Sequence, residues 1–105
     1  MSEQMERTEM IREQRNALLS TLCVCYPGAL DGDKLFRVML GIFPQYVRTF
    51  IVKDLVYLEQ KGYVVRKNKF GRVDPTQQWS TARWALTARG NEVANRLTED
   101  PALEV

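Results

Sequence analysis

Side chains able to move protons, hold metals or attack carbon are scarce in this chain. It has no histidine and two cysteines, so the usual general base is missing and one chain cannot complete a tetrahedral zinc site of cysteine and histidine. Cys23 and Cys25 lie in a stretch with helical spacing, where residues two apart point to different sides and cannot easily bridge. They read as small packing residues in or near the core, not as nucleophiles. The acids are scattered and no glycine-rich phosphate loop occurs. We expect no enzyme, no catalytic residue, no metal ion and no cofactor, and no small-molecule effector is evident.

Basic charge is the chemistry this chain does hold, and it is concentrated in the middle. Residues 34–90 carry eleven Lys and Arg against three acids, while residues 1–33 carry three against six and residues 91–105 one against four. Arg66, Lys67, Lys69, Arg72 and Arg83 fall within eighteen residues that contain one acid, Asp74. A basic, glycine-containing turn suits a polyanionic backbone, because each cation that meets a phosphate releases a counterion. Such charges also keep exposed edge strands soluble. A second set, Gln45, Thr49 and Lys53, recurs every four residues, which on a helix places it along one face.

These residues need elements to position them. At 105 residues the chain is expected to form one domain, 1–105, ordered over about 8–97 and followed by a frayed or loosely docked acidic tail, 98–105. Its uncharged runs are too short and too polar to span a membrane. The amino terminus lacks the apolar core of a secretory signal, which places the protein in the cytoplasm.

A first helix is expected over 8–26, with Met10, Ile11, Ala17, Leu18, Leu22 and Cys25 inward, stopped by Pro27 and Gly28. Asp31 can cap a second helix that runs to about Gly41 and buries Leu35, Val38, Met39 and Ile42. Gly41 and Pro44 then bracket a tight connection to a third helix over 44–61. At about 100° per residue, Val47, Ile51, Leu55 and Leu58 form its core stripe. Gln45, Tyr46, Thr49, Lys53, Val56, Tyr57 and Gln60 fall on the opposite side, and Arg48 lies nearer the core edge. Gly62 reads as a left-handed cap. Tyr63 to Val65 and Trp84 to Leu86 are candidate strands joined by a long connection, and a last helix covers about 88–97. Trp84 is expected in the core, and Trp79 either packs back or stays available to a partner.

Three helices, a strand, a loop, a strand and a helix make a mostly α, α+β arrangement: a helix-turn-helix with a two-stranded β-wing and a C-terminal helix. The run DLVYLEQKGYV at Asp54 to Val64 resembles the end of the recognition helix and the start of the wing in bacterial winged helix-turn-helix regulators of the MarR and PadR kind. WALTARG at Trp84 to Gly90 is similar to their returning wing strand and following helix. The spacing of the two motifs and the ending RGNEVANRL more narrowly resemble short winged-helix proteins of Mu-like prophages.

The resemblance implies sequence-specific binding of double-stranded DNA by a small transcriptional regulator, dimeric through its first and last helices. Helix 44–61 would enter the major groove, where Gln45, Tyr46, Thr49 and Lys53 meet base edges and Arg48 holds phosphate. The wing, 63–86, would lie on the flanking backbone through Arg66, Lys67, Lys69, Arg72 and Arg83. The alternative is a winged-helix protein-interaction module, an accessory phage protein, that docks through Val52, Val56 and Tyr57.

Overall fold

The computed structural model describes residues 2–99, with side chains described over residues 8–97. The element order is α1 (Ser2–Cys25), β1 (Ala29–Asp31), α2 (Gly32–Ile42), α3 (Arg48–Gln60), β2 (Val64–Lys67), β3 (Arg83–Leu86) and α4 (Ala88–Glu99). The three strands form one antiparallel sheet in the order β1-β3-β2. The expected wing strands pair with Val64 opposite Leu86 and Lys67 opposite Arg83. β1, which reads as loop in the sequence, joins the far edge of β3 with Leu30 opposite Trp84.

Helical amphipathicity builds the core. Leu18, Leu19 and Leu22 of α1, Leu35 and Met39 of α2, and Ile51, Leu55 and Leu58 of α3 are fully buried, as is Trp84 of β3. Each such aliphatic side chain contributes about 2 kcal/mol by leaving water. α4 closes the cluster with Ala94 and Leu97. Four residues expected inward are not. Met10 is half-exposed because it precedes Gln14 and Leu18, where α1 first meets the core. Val38 and Ile42 are exposed because α2 turns only the strip of Leu35 and Met39 inward, and Val47 is exposed because it precedes the first turn of α3. α1 begins at Ser2, well before residue 8, and α4 continues past 97 to Glu99. The rest of the expected acidic tail, from residue 100, lies outside the described residues.

Backbone groups that a helix leaves orphaned are satisfied where the elements meet. At the start of α2, the N–H of Gly32 donates to Ala82 O, that of Asp33 to Ser80 O, and that of Lys34 to the Asp31 carboxylate at 2.8 Å, so Asp31 is the expected cap. This seats α2 against the segment that returns from the wing. The approach there is so close that a Cβ on Gly32 would meet Trp79 O at 1.9 Å. Gly62 ends α3 with φ +79, as its left-handed reading requires. Gly41, expected to end α2, lies inside it without positive φ. At α4, Thr87 Oγ1 accepts from the N–H of Gly90 and donates to Gly62 O, coupling the helix start to the end of α3.

Candidate nucleic-acid interface

The third helix starts later than its proline suggests. Pro44 and Gln45 form a turn, closed by the N–H of Tyr46 donating to Phe43 O at 2.9 Å, and Val47 is the extended N-cap. The turn exists because Tyr46 goes inward. Its ring is 3% exposed, and its hydroxyl donates to Asp54 Oδ2 at 2.8 Å. Tyr46 therefore supports α3 from beneath and does not share the outward side with Thr49 and Lys53.

Asp54 is itself buried, on the core side of α3 beside Leu55 and Leu58. Its other oxygen accepts from Arg15 Nε at 3.2 Å, and the Arg15 guanidinium lies 3.6 Å from the ring centre of Tyr57. Burial holds the Asp54 carboxyl above its ordinary range, and the hydrogen bond from Tyr46 and the Arg15 charge act against that shift. Burial, then the neighbouring carboxylate, pushes the Tyr46 hydroxyl up. The three side chains clamp α1, the turn before α3 and α3 itself.

On the outward side, Gln45, Thr49 and Lys53 are exposed as expected, with Thr49 and Lys53 one turn apart on α3 and Gln45 on the turn before it. Arg48 is not at the core edge: its side chain is 64% exposed, pairs with Asp33 of α2 at 3.4 Å, and lies over the Phe36 and Trp79 rings. Val52, Val56 and Tyr57 are half-buried. Around the α2–α3 turn, Val38, Ile42, Val47 and Phe50 are more exposed than these three.

The connection between β2 and β3 is an ordered structure. The Asn68 carboxamide accepts from the N–H groups of Phe70 and Arg72, Gly71 N–H donates to Asn68 O, and Asn68 N–H donates to Arg72 O at 2.8 Å. Gly71 has φ +78, and Lys67 bridges Val73 beyond it. Asp74 then starts a second turn. Hydrogen bonds from Thr76 and Gln77 hold its carboxyl below the usual range. The return is anchored where Trp84 Nε1 donates to Trp79 O at 2.8 Å, and Trp79 packs back onto the core.

Lys69, Arg72 and Arg83 are exposed and Lys67 half-exposed. Arg66 corrects the expectation. Its guanidinium forms a two-pronged pair with Glu59 of α3 at 3.0 and 2.9 Å, donates to Gln77 O at 2.9 Å, and lies 4.9 Å from the centre of the Trp84 ring. Its side chain is 17% exposed, so it fixes the wing to the third helix, with its charge already paired to Glu59 and turned away from a phosphate facing solvent.

Pairing also purifies the basic region. Its three acids are all engaged: Asp54 by Arg15 and Tyr46, Glu59 by Arg66, and Asp74 by its own turn. The ion pairs among the described residues use none of Lys53, Lys61, Lys67, Lys69, Arg72 and Arg83.

Among solved structures, the crystal structure of SSV1 F-93 superposes with a TM-score of 0.56, covering 81% of this chain and 82% of that one at 18% identity. The fold is a winged helix. No protein-family model matches the chain, and neither does any curated protein. In winged-helix terms, α2 and α3 are the helix-turn-helix, β2 and β3 with their connection are the wing, and β1 completes the small sheet. No helix of the described residues is long and apolar enough to cross a membrane. Two residues of this winged helix escape the sequence reading, Asp54 as a buried clamp and Phe70, 76% exposed, at the wing tip. For Asp54 a signal existed: its spacing from Ile51, Leu55 and Leu58 puts an acid on the core stripe, where it demands partners.

Proposed function

We propose that this chain binds double-stranded DNA sequence-specifically as a small transcriptional regulator, with α3 in the major groove and the wing along the adjoining backbone. One observation carries the reading: the basic middle of the chain exposes cations without carboxylate partners on both the third helix and the wing, while its acids are internally engaged. On α3, Thr49 and Lys53 are the side chains placed to read base edges, with Gln45 before them, and Arg48 is placed to meet a phosphate by exchanging its partner Asp33. Lys67, Lys69, Arg72 and Arg83 serve the backbone.

The motifs DLVYLEQKGYV and WALTARG support a place near MarR-like and PadR-like regulators, and the ending RGNEVANRL supports a prophage setting. We infer a homodimer through α1 and α4, which would present two third helices to two half-sites. Support comes from the length of α1, Ser2–Cys25, and from the half-exposed Met10 on it.

A second reading, a protein-docking module, draws on the exposed Val38, Ile42, Val47 and Phe50 more than on the half-buried Val52, Val56 and Tyr57. The double variant Lys53→Ala, Lys69→Ala separates the two. Under the DNA reading, affinity for a duplex falls at least about tenfold and the salt slope flattens by roughly 0.9 for each phosphate deprived of its cation. Unchanged duplex affinity would favour protein docking.

A further inference from the structure

The wing tip combines order with exposure. It is held in one shape, since the Asn68 side chain and backbone accept from Phe70, Gly71 and Arg72. At its apex it presents an aromatic ring to solvent. Of the four phenylalanines, Phe36 and Phe43 pack against the core and Phe50 is 44% exposed, whereas Phe70 is 76% exposed. Lys69 and Arg72 flank it in the chain, and the Lys69 ammonium lies 5.2 Å from the ring centre. A flexible loop would let such a ring fold back onto apolar surface. This one is braced outward by its own hydrogen bonds.

We propose that Phe70 is an apolar wedge for duplex DNA. This rests on the DNA-binding reading above and adds a site and a consequence to it. With α3 in a major groove, a wing reaching past the flanking phosphate ridge meets the adjoining minor groove. Lys69 and Arg72, which flank Phe70 in the chain, supply cations for the phosphates that border that groove, and the ring presses into a base step, partly unstacks it and bends the duplex. The steps that open most easily are pyrimidine–purine steps, so Phe70 also imposes a preference for such a step at a fixed distance from the sequence read by α3.

The test uses the full chain and a duplex of about three helical turns carrying its preferred site, with donor and acceptor dyes at the ends and 2-aminopurine at successive positions beside the site. Wild-type protein should shorten the end-to-end distance and raise 2-aminopurine emission at one step. Phe70→Ala, at a side chain that supports no core, should keep the wild-type melting temperature, lose the bend and the emission, and bind about tenfold more weakly. Phe70→Trp should retain the bend. If Phe70→Ala bends and binds as wild type does, the wedge is wrong and Phe70 becomes a side chain for docking a protein. If wild type binds tightly without bending or unstacking, the wedge is wrong while the DNA reading stands. Failure of wild type to bind any duplex at low salt overturns both.

Discussion

Replacing Asp54 by alanine tests whether the clamp between α1 and α3 is structural. The substitution strands the Tyr46 hydroxyl, whose ring is 3% exposed and which donates to Asp54 at 2.8 Å. A buried hydroxyl without an acceptor costs about 1–3 kcal/mol. It also releases Arg15, whose side chain is 23% exposed and can turn toward water along the Tyr57 ring, so its loss is smaller than that of a fully buried ion. Together these give about 2–4 kcal/mol, or a fall in melting temperature of roughly 10–20 °C for a domain of this size.

Asp54→Asn keeps one acceptor and should lose about 1 kcal/mol, and Tyr46→Phe a similar amount. Urea unfolding followed by tryptophan fluorescence measures all three. An Asp54→Ala protein within about 0.5 kcal/mol of wild type would refute the clamp. The pH dependence has a definite sign. Because burial raises the folded-state carboxyl above its ordinary 3.8, Asp54 contributes stability that is present at pH below the unfolded value and is lost as pH rises through the folded one. In Asp54→Asn that falling contribution should vanish from the acid arm of the stability profile.

Three further outcomes follow from the geometry. Arg66→Ala should lose about 2 kcal/mol of stability in urea, since its two-pronged pair with Glu59 is mostly buried; for a folded fraction of this variant, the salt slope of duplex binding should match wild type within error. Lys53→Ala with Lys69→Ala should leave the urea midpoint unchanged while it flattens that slope. Gly32→Ala should unfold the protein or destabilise it by more than about 3 kcal/mol, because the added Cβ meets backbone, Trp79 O, with no flexible side chain to yield; near-wild-type stability would show that α2 is not seated as described.

What the sequence made legible was what local physics decides. The helix-to-wing boundary at Gly62, the cap at Asp31, and Trp84 in the core follow from glycine's backbone freedom, a side-chain acceptor and aromatic burial, and all three hold in the fold. β1 was invisible because three residues, Ala29–Asp31, carry no periodicity and pair with a strand more than fifty residues away. The start of α3 was misplaced because proline favours a first helical turn locally, while burial of Tyr46 against Asp54 favours a turn there and wins. The same distant pairing withdrew Tyr46 from the outward side, and Glu59 withdrew Arg66. Charge counting found the basic middle of the chain. Only the folded arrangement shows which cations are already engaged.

The most direct measurement is fluorescence anisotropy of a labelled duplex titrated with the full chain at about 50 and 200 mM salt. If four of the cations on the third helix and wing that lie outside the ion pairs of the described residues, among them Lys53, Lys61, Lys67, Lys69, Arg72 and Arg83, meet phosphates, the logarithmic salt slope is about −3.6 and affinity falls by roughly a hundredfold between the two. A DNA-binding winged helix predicts tight binding at the lower salt and that loss at the higher. Absence of binding at the lower salt, or affinity indifferent to salt, would contradict it.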